Sequence, residues 1–74
     1  MTMYIMEYSM GCVSRGDADD PETAFRDEIR SISGREIENF QETDRDGDFN
    51  VVIYPEPVKP ARAKAKRYFN VEYA

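Results

Sequence analysis

The stretch Asp44–Tyr54, "DRDGDFNVVIY", holds the dipeptide Asp46-Gly47 between two runs of residues that suit extended strands. Asp-Gly is a strong signal for a two-residue hairpin turn, because both central positions of that turn need positive φ. The sequence therefore predicts a hairpin whose strands cover about 36–43 and 48–54. The second strand is apolar at both odd and even positions, which is typical of a strand buried on both faces.

The carboxylates of this stretch also invite comparison with a calcium-binding loop. An EF-hand loop beginning at Asp44 would place Asp46 and Asp48 at its third and fifth positions. Such a loop needs glycine at the sixth position and glutamate at the twelfth, where this sequence has Phe49 and Pro55. The motif fails where its geometry is most demanding. We therefore predict a hairpin here, with no metal site and no cofactor.

The residues before the hairpin carry the signals of a helix. Asp20 suits the N-cap, Pro21 suits the first helical position, and Gly34 suits the left-handed position that ends a helix. The apolar residues between them recur at helical spacing, which predicts one face against a sheet. These residues are Phe25, Ile29 and Ile32.

The order of the remaining segments predicts the fold class. Strands are expected at 1–9 and 69–73, residues 10–20 read as a loop, and the pattern of 60–67 leaves a short helix or a strand open. The resulting order, β-α-β-β-(α)-β, is that of a ferredoxin-like α+β fold. We expect a single domain, 1–74, with a four-stranded antiparallel sheet and one long helix on one face, joined there by the short one if it forms.

The composition excludes several classes of protein. The chain has 74 residues, a net charge of −5, one cysteine (Cys12) and no histidine, so catalysis by a Cys-His or Ser-His pair is excluded. No apolar run approaches the roughly 20 residues that cross a bilayer. Charge is uneven: residues 17–48 hold twelve acidic and four basic side chains, whereas 49–74 hold two and five. These features predict a cytoplasmic, non-catalytic protein with no membrane partner.

The acidic middle of the chain predicts a surface that binds a protein partner rich in Lys and Arg. A single layer of helices covers one face of a sheet, so tyrosines of the central strands are expected on the open face, where a partner or a second copy could dock. The predicted partner-binding residues are Asp17, Asp19, Asp20, Glu38, Glu42, Asp44, Asp46 and Asp48 on the acidic surfaces, and Tyr4, Tyr8 and Tyr54 on the open face.

In size, acidity and absence of catalytic residues, the whole chain resembles small phage-encoded anti-CRISPR proteins. The resemblance rests on general form and carries no motif. It implies an inhibitor that acts in the host cytoplasm by occluding the basic, nucleic-acid-binding surface of a partner protein.

Two alternatives remain open from the sequence. The first is a single-stranded nucleic-acid binder that stacks bases on the tyrosines of the open face and contacts phosphates through the basic segment 59–67. The second rests on Gly11, Val13 and Gly16 after the first strand, a spacing that resembles the phosphate-binding loop of acylphosphatases. That resemblance would imply an enzyme with the same β-α-β-β-α-β layout and an anion held near Arg15.

Overall fold

In the computed structural model, which describes residues 1–56 and 65–74, one helix packs against one face of a five-stranded antiparallel sheet. The strands lie in the order β2-β1-β4-β5-β3. The predicted short helix at 60–67 lies largely outside the described residues, and the last strand begins at Arg67, two residues earlier than expected. The elements are β1 (Thr2–Tyr8), β2 (Val13–Ala18), α1 (Pro21–Ser33), β3 (Ile37–Thr43), β4 (Val51–Glu56) and β5 (Arg67–Tyr73).

The α+β class is confirmed, but the four-stranded ferredoxin-like layout is not, because the sheet has a fifth strand. This strand, β2, is built from residues that were expected to form a loop. Its turn explains how: the Gly11 N–H donates to the Tyr8 carbonyl (2.9 Å), and the Tyr8 N–H donates to the Cys12 carbonyl (2.8 Å). Gly11 has a φ of 101°, so the three-residue turn uses glycine to fold the chain back along β1.

The predicted hairpin at Asp46-Gly47 is wrong, because β5 lies between β3 and β4. Both neighbours run antiparallel to β5, so β3 and β4 are parallel to each other and share no ladder. The segment 44–50, which we call the crossing segment, therefore carries the chain from one side of β5 to the other. A ferredoxin-like sheet would have its last strand at an edge, whereas β5 is internal.

The turn inside the crossing segment explains why the Asp-Gly signal misled. The Gly47 N–H donates to the Asp44 carbonyl (3.0 Å), and neither Arg45 nor Asp46 has positive φ. A type I turn has this geometry, with Asp favoured at its first position and Gly at its fourth. A Cβ at position 47 would collide with the Thr43 hydroxyl, so a larger residue there requires the Thr43 side chain to move.

The crossing segment is held against β5 by its last residues. The Phe49 ring packs edge-on against the Tyr68 ring, with centroids 4.9 Å apart. The Asn70 side-chain amide donates to the Asp48 carbonyl. Because Tyr68 and Asn70 alternate with core residues of β5, the crossing segment lies on the face of the sheet opposite α1.

The helix is confirmed with the predicted start and end. The Asp20 side chain accepts a hydrogen bond from the Thr23 N–H (2.8 Å), and Gly34 adopts the left-handed conformation with φ 73°. The predicted apolar face of α1 is confirmed for Phe25 and Ile29, whose side chains are buried. It is wrong for Ile32, which lies in the last turn of α1 and is 61 % exposed.

The core lies between α1 and the inner strands. Phe25 stands at its centre, with ring centroids 5.9 Å from Tyr8 and 5.8 Å from Phe40. All four residues of Val51–Tyr54 are buried, so the prediction that this strand is central is confirmed. The core cluster consists of Met6, Phe25, Ile29, Ile37, Val51, Ile53, Phe69 and Val71.

Candidate functional site

The structure separates the three tyrosines that were expected to share an open face. The β1–β4 register places Ile5 opposite Tyr54, so Tyr4 and Tyr8 point to the other face. That face carries α1, and both side chains pack against the core. The shared tyrosine surface is therefore wrong, because alternation along β1 sends its even residues toward the helix.

Tyr8 has a packing role on the helix side. Its hydroxyl forms a 2.6 Å hydrogen bond with the Ser14 hydroxyl of β2. Burial raises the pKa of this phenol above its ordinary value, with the hydrogen bond to Ser14 opposing that change. The side chain therefore links β1, β2 and the core instead of presenting a ring to a partner.

Tyr54 does lie on the face opposite α1, but it is only 9 % exposed. Its hydroxyl donates to the Glu7 carboxylate, and the Lys66 ammonium lies 5.4 Å from the centre of its ring. Its neighbour Val52 is 8 % exposed. The side chains of Tyr54 and Val52 are therefore largely buried and do not form the exposed apolar patch that was predicted on this face.

The acidic residues before the helix have different surroundings. Asp17 lies in the edge strand β2, Asp19 follows the strand, and both carboxylates are exposed. Asp20 caps the helix, and its hydrogen bonds from the backbone and side chain of Thr23 lower the pKa of this carboxyl. Asp20 is therefore occupied by a structural role, whereas the other two have no side-chain partner among the described residues.

The Glu42 carboxylate is also bound by another side chain of the fold. The Arg67 guanidinium donates to both oxygens of this carboxylate, at 2.9 and 2.7 Å, across the β3–β5 ladder. These hydrogen bonds lower the pKa of Glu42 and raise the pKa of Arg67. The pair lies beside the start of α1, where a cleft of about 340 Å³ also contacts Asp20 and Pro21.

We expect the protein to lose stability as the pH falls below the ordinary pKa of glutamate, 4.5. The pKa values of Asp20, Glu36 and Glu42 are lowered in the folded chain, so their contribution is complete above the unfolded-state pKa values. It is lost as the pH falls through the lowered folded values. Urea midpoints followed by circular dichroism, from neutral to strongly acidic pH, would measure this decline.

Glu42→Gln should make that decline shallower and lower the stability at neutral pH by about 0.5 kcal/mol, the size of an exposed ion pair. The matched control is Glu38→Gln, because Glu38 lies on the same strand, is exposed and has no side-chain partner in the described part of the chain. Equal acid profiles for the two variants would contradict the role assigned to the Glu42–Arg67 pair.

Three carboxylates of the crossing segment remain without a partner in the described residues. Asp44, Asp46 and Asp48 are exposed, and their side chains take part in no hydrogen bond or ion pair there. Within residues 1–56 and 65–74, no three His, Cys, Asp or Glu side chains are grouped so as to hold a metal ion. The crossing segment thus presents fixed negative charge with the side chains directed to solvent.

Arginines of the fold form ion pairs with other acidic residues, and no ion pair among the described residues involves these three, with the exposed Arg45 between Asp44 and Asp46 in the sequence. Arg15, Arg26 and Arg30 form ion pairs with Glu56, Glu22 and Glu36, as Arg67 does with Glu42. Seven of the fifteen carboxylates have no side-chain partner in the described ranges, so the uncompensated charge concentrates at a few places. These seven are Asp17, Asp19, Glu28, Glu38, Asp44, Asp46 and Asp48.

Sequence reasoning missed a groove of about 470 Å³ on the face opposite α1. Phe49 and Tyr68 form its aromatic wall, and Arg45 and Lys66 bring positive charge to it. Phe49 was expected on the second strand of the predicted hairpin. Only the long-range position of β5 turns it into a wall of this groove, so no local signal could have found it.

No family model, curated protein or solved structure matches this chain. No helix among the described residues has the length and apolar character needed to cross a membrane.

Proposed function

We propose that this chain is a small acidic protein-binding module that acts by occupying a basic surface of a partner protein. The observation that carries the proposal is the crossing segment, which holds three exposed carboxylates within five residues, none of them with a side-chain partner among the described residues. The proposed contacts are made chiefly by Asp44, Asp46 and Asp48, with Asp19 and Glu38 adding to the negative field.

The fold supports this proposal because it fixes the backbone that bears the charges. The turn closes from the Gly47 N–H to the Asp44 carbonyl, and the Asn70 amide holds the Asp48 carbonyl. A recognition segment that is ordered before binding loses less conformational freedom on association. The carboxylates therefore form a pre-organised set, unlike those of a flexible acidic tail.

A protein surface that binds nucleic acid is the partner that best suits such a set. It carries Lys and Arg side chains placed to neutralise a row of phosphates, and carboxylates on one turn can take the places of phosphates. The proposal includes the inhibitory, anti-CRISPR-type role in the cytoplasm of a phage host that the general resemblance implies. It requires no bond chemistry from this chain.

The test is affinity capture with the tagged protein, followed by competition. The captured protein should be a nucleic-acid binder, and a short oligonucleotide or added salt should displace it. Neutralising Asp44, Asp46 and Asp48 to asparagine should weaken its binding at least about tenfold, as expected for a loss of 1.4 kcal/mol. Binding that resists both oligonucleotide and salt would contradict the proposal.

A charge-matched control separates local contacts from net charge. Glu22→Gln, Asp27→Asn and Glu72→Gln together change the net charge by the same amount, but each of these carboxylates already has a partner in the fold. This variant should bind the captured protein nearly as well as the wild type. If both variants lose binding equally, overall acidity is responsible and the crossing segment has no special role.

The alternative functions receive less support from the geometry. The nucleic-acid alternative loses its stacking platform, because Tyr4 and Tyr8 face α1 and Tyr54 is covered. Its basic segment at 59–67 lies mostly outside the described residues. The acylphosphatase alternative needs an anion-binding loop, whereas Gly11 forms a hairpin turn and Arg15 pairs with Glu56.

A further inference from the structure

The two edges of the sheet differ in a way that points to a second copy of this chain. β2 and β3 are the outer strands, so each has one side without a neighbouring strand among the described residues. The Tyr8 N–H bonds to the Cys12 carbonyl, and the β1–β2 register continues from there to Ser14 and Gly16. By alternation, the backbone N–H and C=O groups of Val13, Arg15 and Asp17 point outward from the edge.

The outward residues of β2 are self-complementary in charge. If two β2 strands pair antiparallel about Gly16, Arg15 of each copy lies opposite Asp17 of the other. Both positions have outward backbone groups, so the same register satisfies the hydrogen bonds and the ion pairs together. Shifting the register by two residues places Arg15 opposite Arg15, or Asp17 opposite Asp17, and like charges oppose both arrangements.

The residues at the axis would allow this approach. Gly16 would face its counterpart at a non-hydrogen-bonded position, where strands come closest, with Cα atoms about 4.5 Å apart. Arg15, Asp17 and Val13 are exposed, and no described strand pairs with the outer side of β2. Arg15 can keep its contact with Glu56, because a guanidinium has five N–H donors.

The opposite edge carries devices that prevent pairing. β3 has an irregular register between Ile37 and Asn39, which interrupts its ladder. Pairing of β3 with itself about Phe40 would bring Glu38 opposite Glu42 of the second copy, so carboxylates would repel. Bulges and charges of this kind are the usual protection of edge strands. β2 has an unbroken register, and its two charged side chains, Arg15 and Asp17, are of opposite sign, so β2 is the edge available for association.

We propose that two copies of this chain form a symmetric dimer through antiparallel pairing of their β2 strands, with Arg15 of each copy opposite Asp17 of the other. The dimer extends the sheet across both copies and places the two crossing segments at a fixed separation. It is independent of the partner-binding role, because it needs none of the crossing-segment carboxylates.

The test uses charge reversal and the full chain without any other protein. Sedimentation equilibrium from micromolar to millimolar concentration should show a dimer for the wild type. Arg15→Asp and Asp17→Arg should each raise the dimer dissociation constant at least about tenfold, because both cross-strand pairs become repulsive. The two single variants mixed together, and the double variant R15D/D17R, should dimerise like the wild type.

Three outcomes would overturn the inference: a monomer at all concentrations, a dimer that neither single variant weakens, or a mixture that fails to recover association. Hydrogen exchange on the wild type gives a second measurement that does not depend on the variants. The amides of Arg15 and Asp17 should exchange more slowly as the concentration rises, whereas those at the β3 edge should not change. Equal exchange at low and high concentration would also overturn it.

Discussion

Phe25→Ala is expected to remove a large share of the stability of this protein. The ring is 1 % exposed and packs between Tyr8 and Phe40, so it joins the helix to both halves of the sheet. Truncating a buried phenylalanine to alanine costs about 3–5 kcal/mol, through lost burial and the cavity that remains. A chain of 74 residues has about 4–11 kcal/mol in total, at 0.05–0.15 kcal/mol per residue.

Urea unfolding followed by far-ultraviolet circular dichroism would measure this loss. The matched control is Ile32→Ala on the same helix, because Ile32 is 61 % exposed and alanine favours the helical state. Its midpoint should stay close to that of the wild type. A Phe25→Ala variant that loses less than about 1 kcal/mol would show that the core is not organised around this ring.

Local sequence signals were sufficient for the helix. Asp20, Pro21 and Gly34 each act through the backbone of their own turn, so the physics that places them depends on no distant residue. The helical spacing of apolar residues correctly predicted that Phe25 is buried against the sheet, but it wrongly predicted the burial of Ile32. What a local pattern cannot supply is the extent of the surface against which the helix packs.

The topology could not be derived from the turn signal. Asp46-Gly47 fits a hairpin turn with two positive φ values, and Asp44 with Gly47 fits a type I turn equally well. The choice depends on whether β5 enters between β3 and β4, which is a contact between residues far apart in the sequence. The polar residues that alternate along β5 belong to the face opposite α1, and β5 is an internal strand.

The acidic character of the candidate site was predictable from the sequence, but the residues that form it were only partly predictable. The acidic middle of the chain indicated a negative surface, yet the sequence did not show which carboxylates would be paired. The Glu42 carboxylate is paired with Arg67, which lies 25 residues away in the sequence, and the Asp20 carboxylate caps α1. Neither is therefore free to bind a partner in the way that was predicted. The tyrosines were misplaced because a strand apolar on both sides gives no signal of which side faces the helix.

The residues that set the topology also carry the proposed function. The crossing segment is where the chain passes β5, and its turn is where Asp44, Asp46 and Asp48 are exposed. Since no described strand pairs with most of this segment, its position in the described structure depends on a few contacts near Asn50. A change at those contacts should therefore affect both stability and partner binding.

Asn50→Ala should lower the stability by about 2 kcal/mol, because it leaves backbone groups of β5 without partners. β4 begins at Val51 opposite Phe69, so no β4 residue reaches the Val71 backbone. The Asn50 side chain takes that place: its carbonyl accepts from the Val71 N–H (3.0 Å), and its amide donates to the Val71 carbonyl (3.2 Å). Urea unfolding would measure the loss.

The matched control is Asn39→Ala, because within residues 1–56 and 65–74 the Asn39 amide bonds only to the exposed Glu72 carboxylate, at 3.1 Å. Its effect should stay within about 0.5 kcal/mol, as for most surface substitutions. Asn50→Ala should also weaken capture of the basic partner, since the crossing segment loses its anchor while its three carboxylates are kept. Equal stability of the two variants would mean that the side chain of Asn50 does not hold the crossing segment against β5.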